Sequence, residues 1–216
     1  MIARQETAMH YFITGTDTNV GKTYVTCLLL QALRRKGRSA TGYKPVASGD
    51  RADAAALLEA SGDPSLTLDA VNPVFLKVPS APAIAAMMEN KRIDLGTLRA
   101  GYESLAKRHD TVLVEGAGGW EVPLNDIMTM ADFAQALALP VIVVVNNKLG
   151  ALNHTILTVR NIQARQMKCA GVILNYVADE RDPASISNRA MLERFLDVPV
   201  LAEIMHGETE IDWPLD

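Results

Sequence analysis

Cysteine is nearly absent from this chain: Cys27 and Cys169 are the only two in 216 residues. Both sit inside apolar periodic segments, so they read as small core residues rather than as a disulfide or a metal pair. A reducing compartment, the cytoplasm, fits that usage. Long apolar runs are missing too. None reaches the roughly 20 residues needed to cross a bilayer, and Met1 to Met9 lacks the apolar centre of a secretory signal. The expectation is therefore no membrane partner. Positive charge is also in short supply. The formal net charge is -4 and the isoelectric point about 5.6, which argues against a broad electrostatic footprint for nucleic acid. Arg34, Arg35, Lys36 and Arg38 do cluster, but at the end of a predicted helix, where cations complement the helix dipole. His10, His109, His154 and His206 share no metal-ligand spacing, and no Ser/His/Asp arrangement can be argued from their order. Internal repeats and low-complexity tracts are lacking as well.

What is present is a hydrophobic content of 49%, enough to bury one substantial core as a single domain, with no room for a second catalytic one. Residues 1–9 are read as a loose extension ahead of a domain at 10–216. Short apolar runs alternate with helical patterns. Strands are predicted near 10–15, 39–45, 111–115, 140–145, 170–175 and 199–203. Helices are predicted after the first strand to about 36, from about 53, over the stripe Leu152, Ile156, Val159 and Ile162, and around Ile186 to Phe195. This order implies an α/β fold, a mostly parallel sheet with helices on both faces and ligands outside the carboxyl ends of the strands. The segment Asn72 to Pro82, with prolines at 73, 79 and 82, breaks the alternation and is read as a loop or short edge element over the site.

Between the first strand and helix lies Gly15-Thr16-Asp17-Thr18-Asn19-Val20-Gly21-Lys22-Thr23. A phosphate loop needs small residues that let backbone N–H groups converge on an anion, a helix N-terminus behind them, a lysine for the β/γ-phosphates and a hydroxyl for Mg²⁺. Gly21, Lys22 and Thr23 supply the last three. Thr16 stands where the common pattern has glycine, with Gly15 just before it. The strand, loop and helix order assigns the chain to the P-loop NTPase class.

Other strand ends carry further candidates. Lys44, in Gly42-Tyr43-Lys44-Pro45-Val46-Ala47-Ser48-Gly49, is a candidate second cation for phosphoryl transfer; in isolation it would be an ordinary strand-end lysine. Glu115 ends Val112-Leu113-Val114-Glu115-Gly116-Ala117-Gly118-Gly119 and, with Thr23 and one further carboxylate, offers the hard oxygens Mg²⁺ prefers. Asp53 is the choice for that carboxylate, although Asp50 competes and Asp53 could simply serve the helix dipole. Asp110 lies at the wrong end of the sheet. Asn146-Asn147-Lys148-Leu149-Gly150 is like a guanine-reading element, but Gly150 replaces its aspartate, so ATP is favoured. Asn175 is a candidate for adenine or a turn former. Trp120 is either a wall of the site or a core residue. Met87 and Met88 are read as packing residues.

Four motifs, at 15–23, 42–49, 114–120 (Val-Glu-Gly-Ala-Gly-Gly-Trp) and 148–154 (Lys-Leu-Gly-x-x-Asn-His), together resemble the dethiobiotin synthetases from residue 10 to about 207. The resemblance implies ATP-dependent ring closure of 7,8-diaminononanoate with CO₂. It implies Lys22, Lys44 and Thr18 as catalytic groups, with Thr18 and Ser48 at the diamine. Thr23, Asp53 and Glu115 would hold Mg²⁺. The nucleotide would be bordered by Asn19, Val20, Gly21, Lys22, Thr23, Tyr24, Asp53, Glu115, Gly116, Ala117, Gly118, Asn175, Tyr176, Met205, His206 and Gly207. Gly150, Ala151, Leu152 and Asn153 would hold the substrate carboxylate across the interface of a homodimer. Asn19 stands where family members often carry glutamate, and Met205 replaces a frequent proline. Rival readings are a cobyrinate-type amide-forming ligase, or a nucleotide-dependent switch ATPase. The chain has no room for the glutamine-cleaving domain of the former, and the loop has Thr16 where the latter carries an additional lysine.

Overall fold

The computed structural model describes residues 9–180 and 182–215. The expected extension lies outside the described residues apart from Met9, whose N–H donates to Asp110 O at 3.0 Å. In the first half the elements are β1 (Tyr11–Gly15), α1 (Lys22–Arg35), β2 (Ala40–Tyr43), β3 (Val46–Ser48), α2 (Ala52–Ser61), α3 (Leu68–Val71), β4 (Val74–Leu76), α4 (Pro82–Met88) and α5 (Leu95–Ala106). In the second they are β5 (Thr111–Glu115), α6 (Met130–Leu137), β6 (Val141–Asn146), α7 (Ala151–Ala164), β7 (Cys169–Asn175), α8 (Pro183–Phe195) and β8 (Val200–Ile204).

Six strands form one sheet in the order β2, β5, β1, β6, β7, β8, every pair parallel. Because side chains alternate along a strand, each strand feeds both faces. Tyr11 and Ile13 of β1 join Leu113, Ile142, Val144 and Ile173 beneath α1 and α2, against Val25, Leu29, Leu33 and Leu57. Phe12 joins Val112, Val114, Val143 and Leu174 on the other face, against Leu98, Phe133, Val159 and Leu192. Each fully buried leucine or phenylalanine contributes about 1.5–3 kcal/mol relative to exposure, so the two apolar layers fix both the sheet and the direction of its strand ends. The order reverses beside β1, flanked by β5 and β6, and such a switch point opens a crevice at the carboxyl ends.

The predicted edge element is real but does not join this sheet. Val74–Leu76 pairs in parallel with Val46–Ser48 as a separate two-stranded ribbon. One expectation is corrected and one open alternative closes. Met87 and Met88 are exposed, at 68% and 65%, because α4 has seven residues and turns Ala85 and Ala86 inward instead. Trp120 is a core residue, 4% exposed, packed edge-on against Phe12 and donating to Asn161 Oδ1 at 2.8 Å. Both cysteines are free and partly buried, and burial pushes Cys27 up to about 12 and Cys169 to about 11.

Candidate active site

Helix starts separate into two kinds. Thr67, Asp94, Thr129 and Asp182 cap α3, α5, α6 and α8 with their side chains. Gly21 ahead of α1, Ala81 ahead of α4 and Gly150 ahead of α7 make no such bond. A helix start without a cap leaves its first N–H groups for an anion. At α1 the loop bends through left-handed conformations at Asn19 (φ 58°) and Gly21 (φ 87°). A side chain at Gly21 would be strained and would place Cβ 2.1 Å from Asn175 Nδ2, so glycine there lets the end of β7 close over the loop. Asn175 Nδ2 donates to Val20 O at 2.9 Å. Its Oδ1 is buried with no hydrogen-bond partner.

The charged centre lies between the loop and the ends of β2 and β5. Lys44 Nζ is 2.6 Å from Glu115 Oε1 and 2.7 Å from Asp53 Oδ2. Thr23 Oγ1 donates to the same Glu115 Oε1 at 2.7 Å. The Lys44 and Glu115 side chains are 5% and 0% exposed, whereas half of the Asp53 side chain remains accessible. Burial opposes the charge on Lys44, but Glu115 and Asp53 outweigh it and raise its pKa. Burial likewise works to raise Asp53, and the Lys44 ammonium with hydrogen bonds from Lys44 and Thr23 holds it below the usual carboxylate range. Lys22 donates to Asp17 O at 3.0 Å. Its pKa is lowered to about 8, first by burial and then by the nearby Lys44 charge. A lysine in this place suits polyphosphate oxygens.

Asp50 and Asp53 line the same cleft but face different partners. Asp50 Oδ1 accepts from Ala52 N at 2.9 Å, closing the start of α2, while Asp53 turns to Lys44. Thr23, Asp53 and Glu115 thus converge as hard oxygens, and Glu115 Oε2 is buried without a hydrogen-bond partner, a donor set that suits Mg²⁺. Among the described residues no group of three His, Cys, Asp or Glu could hold a metal.

Beside this centre a cleft of about 420 Å³ brings together Thr18, Lys44, Ser48, Asp53, Ala117 and Gly118 with Asp50, Val122 and the segment 79–82. Ser48 Oγ is buried and unpartnered. Gly49 (φ 89°) lets the ribbon approach Pro79, which a Cβ would meet at 2.9 Å. Gly119 packs against the phosphate loop, where a Cβ would meet Gly15 O at 3.7 Å; Ala117 and Gly118 line the cleft with Thr18, whereas Gly116 faces Met130 and Phe12. At the far side, Asn175 pairs with Ile204, Tyr176 N donates to Ile204 O at 2.9 Å while its hydroxyl turns to Ser185 O, and His206 Nδ1 lies 2.9 Å from Val177 O. Tyr24 donates to Glu208 O, and Glu208 Oε2 accepts from Met205 N at 2.8 Å. Gly150, Ala151, Leu152 and Asn153 begin α7 as expected but do not line the cleft. Asp50, weighed as a metal carboxylate, and residues 79–82, expected over the site, both line the cleft. Sequence reasoning missed Val122 and Glu208, neither of which carried a local signal.

A family model described as an AAA domain matches residues 9–209. The chain is 47% identical over 203 residues to an ATP-dependent dethiobiotin synthetase of Akkermansia muciniphila, covering 94% of this chain and 95% of that protein. It is 47% identical over 208 residues to the one of Aromatoleum aromaticum, covering 91% and 90%. Among solved structures, the MinC:MinD cell division complex of Aquifex aeolicus matches with a TM-score of 0.57 at 16% identity, over 94% of this chain and 82% of that one. The signal recognition particle receptor FtsY of Elizabethkingia anophelis matches at 0.53 and 17% identity over 98% of this chain, which spans only 62% of that receptor. These structures show the fold alone. Sequence identity along nearly the whole length of the relatives shows more: the chain belongs to the family of ATP-dependent dethiobiotin synthetases.

Proposed function

We propose that this protein carboxylates and cyclises 7,8-diaminononanoate with CO₂ and ATP, giving dethiobiotin, ADP and phosphate in biotin synthesis. The observation that carries this reading is a buried lysine, Lys44, held at the junction of a phosphate loop and a cleft lined by Thr18 and Ser48. Phosphoryl transfer gains most from positioned charge and exclusion of water, and little from covalent chemistry by the protein.

In this reading one substrate amine attacks CO₂ and loses a proton, giving a carbamate beside Lys44. A carbamate oxygen attacks the γ-phosphorus and ADP leaves. The second amine attacks the carbonyl carbon of the resulting carbamic–phosphoric anhydride, closing the cyclic urea and expelling phosphate. Lys22 and Lys44 stabilise charge on the phosphates and the carbamate, Thr18 and Ser48 orient the diamine, and the N–H groups at the start of α1 hold the phosphates. Thr23, Asp53 and Glu115 would hold Mg²⁺, which when bound neutralises phosphate charge. Asn175 suits adenine: its N–H₂ is committed to Val20 O, which leaves Oδ1 to accept from an exocyclic amine. Tyr176 and Met205 to Gly207 border the base. The uncapped start of α7 would take the carboxylate of a diamine seated in a second copy, making the working unit a homodimer. We place the enzyme in the cytoplasm as one domain over residues 10–216.

The test is product mass spectrometry after incubation with 7,8-diaminononanoate, labelled bicarbonate, Mg²⁺ and ATP. Labelled dethiobiotin formed only with ATP supports the reading. No product from folded, ATP-binding protein sinks it and shifts attention to another ligase reaction or a nucleotide switch.

A further inference from the structure

Lys44 stands one residue past the end of β2, where the ladder with β5 stops at Tyr43 and Val114. Its peptide groups therefore have no partner in the six-stranded sheet. The segment that follows α3 replaces that partner. Lys44 N donates to Val71 O at 2.9 Å, and Lys44 O accepts from Asn72 Nδ2 at 2.7 Å. The same Nδ2 donates to Val74 O at 3.1 Å, at the first register position of the two-stranded ribbon that carries Ser48. One side-chain amide thus joins the backbone of the lysine to the backbone of the substrate wall.

An asparagine amide can face either way; the two carbonyls draw Nδ2 to one side, and Arg51 holds Oδ1 on the other. Its Nε donates to Asn72 Oδ1 at 3.0 Å and its Nη2 to Asn72 O at 2.8 Å. Arginine can only donate, so Oδ1 must point at it and Nδ2 at Lys44. Arg51 is itself fixed by Leu68 O at 3.0 Å, Asp69 at 2.8 Å and the Phe75 ring at 5.8 Å. Asn72 is 1% exposed, which makes an unsatisfied amide there costly.

We propose that Asn72, oriented by Arg51, is a positioning residue for the ring-closing reaction: it sets the Lys44 ammonium and the Ser48 wall at one fixed separation. The inference rests on Lys44 acting in the reaction proposed above. Displacing a reacting group by about 1 Å can cost on the order of 100-fold in rate, so the effect should fall on turnover rather than on nucleotide binding.

The experiment is steady-state dethiobiotin formation by wild type, Asn72→Ala, Arg51→Gln and Arg51→Lys, with thermal melting used to correct for the folded fraction. Per folded site, kcat should fall about 30-fold in Asn72→Ala and about five-fold in Arg51→Gln, with KM for ATP within about two-fold of wild type. Arg51→Lys, which keeps a donor, should recover part of the loss. Wild-type kcat in the folded variants, or a loss confined to KM for ATP, overturns the inference while leaving the proposed function standing. If Asn72→Ala does not fold, Arg51→Gln decides by the same criterion. Wild type that makes no dethiobiotin removes the proposed function and this inference together.

Discussion

On the nucleotide side of the site most candidates hang from an end of the six-stranded sheet: the loop from β1, Glu115 from β5, Asn175 from β7 and Met205 just past β8, with Asp53 on α2 the exception. On the diamine side Thr18 shares that loop and Ala117 and Gly118 follow β5, but the opposite wall leaves the sheet after Tyr43. Ser48, Gly49 and Pro79 belong to the ribbon or its flank, and Lys44 is tied by Val71 and Asn72. The first half inherits its geometry from continuous backbone ladders and two apolar layers, the second from a few side-chain bonds to backbone. Regular structure locates such a site, and irregular segments give it a particular substrate.

The charged centre that both halves share gives the largest expected effect. Lys22→Ala and Lys44→Ala should each lower turnover about 1,000-fold, but Lys22→Ala alone should also weaken ATP binding. Lys44→Ala strands the buried Glu115 carboxylate, so about 3–5 kcal/mol of stability should be lost in urea melts with a metal chelator. Normal turnover by Lys44→Ala would remove it from the reaction. Next, Gly21→Ala and Gly49→Ala test whether the halves are separable. The first collides with Asn175 and should cut kcat/KM for ATP about 100-fold, and the second collides with Pro79 and should raise KM for the diamine about ten-fold. Equal damage to both substrates from either change would erase the distinction. Glu115→Gln should raise the Mg²⁺ concentration for half-maximal rate about ten-fold, and an unchanged metal titration would defeat that assignment. The smallest signal concerns α7. Mixed dimers of Asn153→Ala and Lys22→Ala subunits should regain about one working site in four of a random mixture. No recovery in proven mixed dimers would exclude a site shared between copies.

The meeting of Lys22 and Thr23 at the carboxyl end of the sheet was legible because a β-branched strand, a glycine turn and a helix stripe stand next to each other in the chain, and Glu115 was legible as the end of a separate apolar strand. Asp53 could be proposed but not separated from Asp50. Both lie near the start of α2, and only the packed position of Lys44 distinguishes their partners. The ribbon was foreseen as an edge element, yet Asn72 was not foreseen as its linchpin. Its partners are mostly backbone carbonyls, at Lys44 and Val74, and backbone atoms leave no mark in a sequence. Met87 and Met88 misled for a related reason: an apolar pair on a helix suggests packing, but this helix is too short to bury both sides.

The strand order also has a consequence in time. β1, which launches the phosphate loop, registers with β5 through Tyr11 and Leu113 and with β6 through Phe12 and Val141. Each neighbour arrives about a hundred residues or more later in the chain, and β2 reaches the sheet only through β5. Loop-closure entropy must be met before such distant pairings repay it. An emerging chain that has made its loop and both lysines still lacks the strands that aim them. ATP can therefore reward only the later stages of folding, and a fragment ending before Val141 should carry the whole phosphate-loop motif without binding nucleotide.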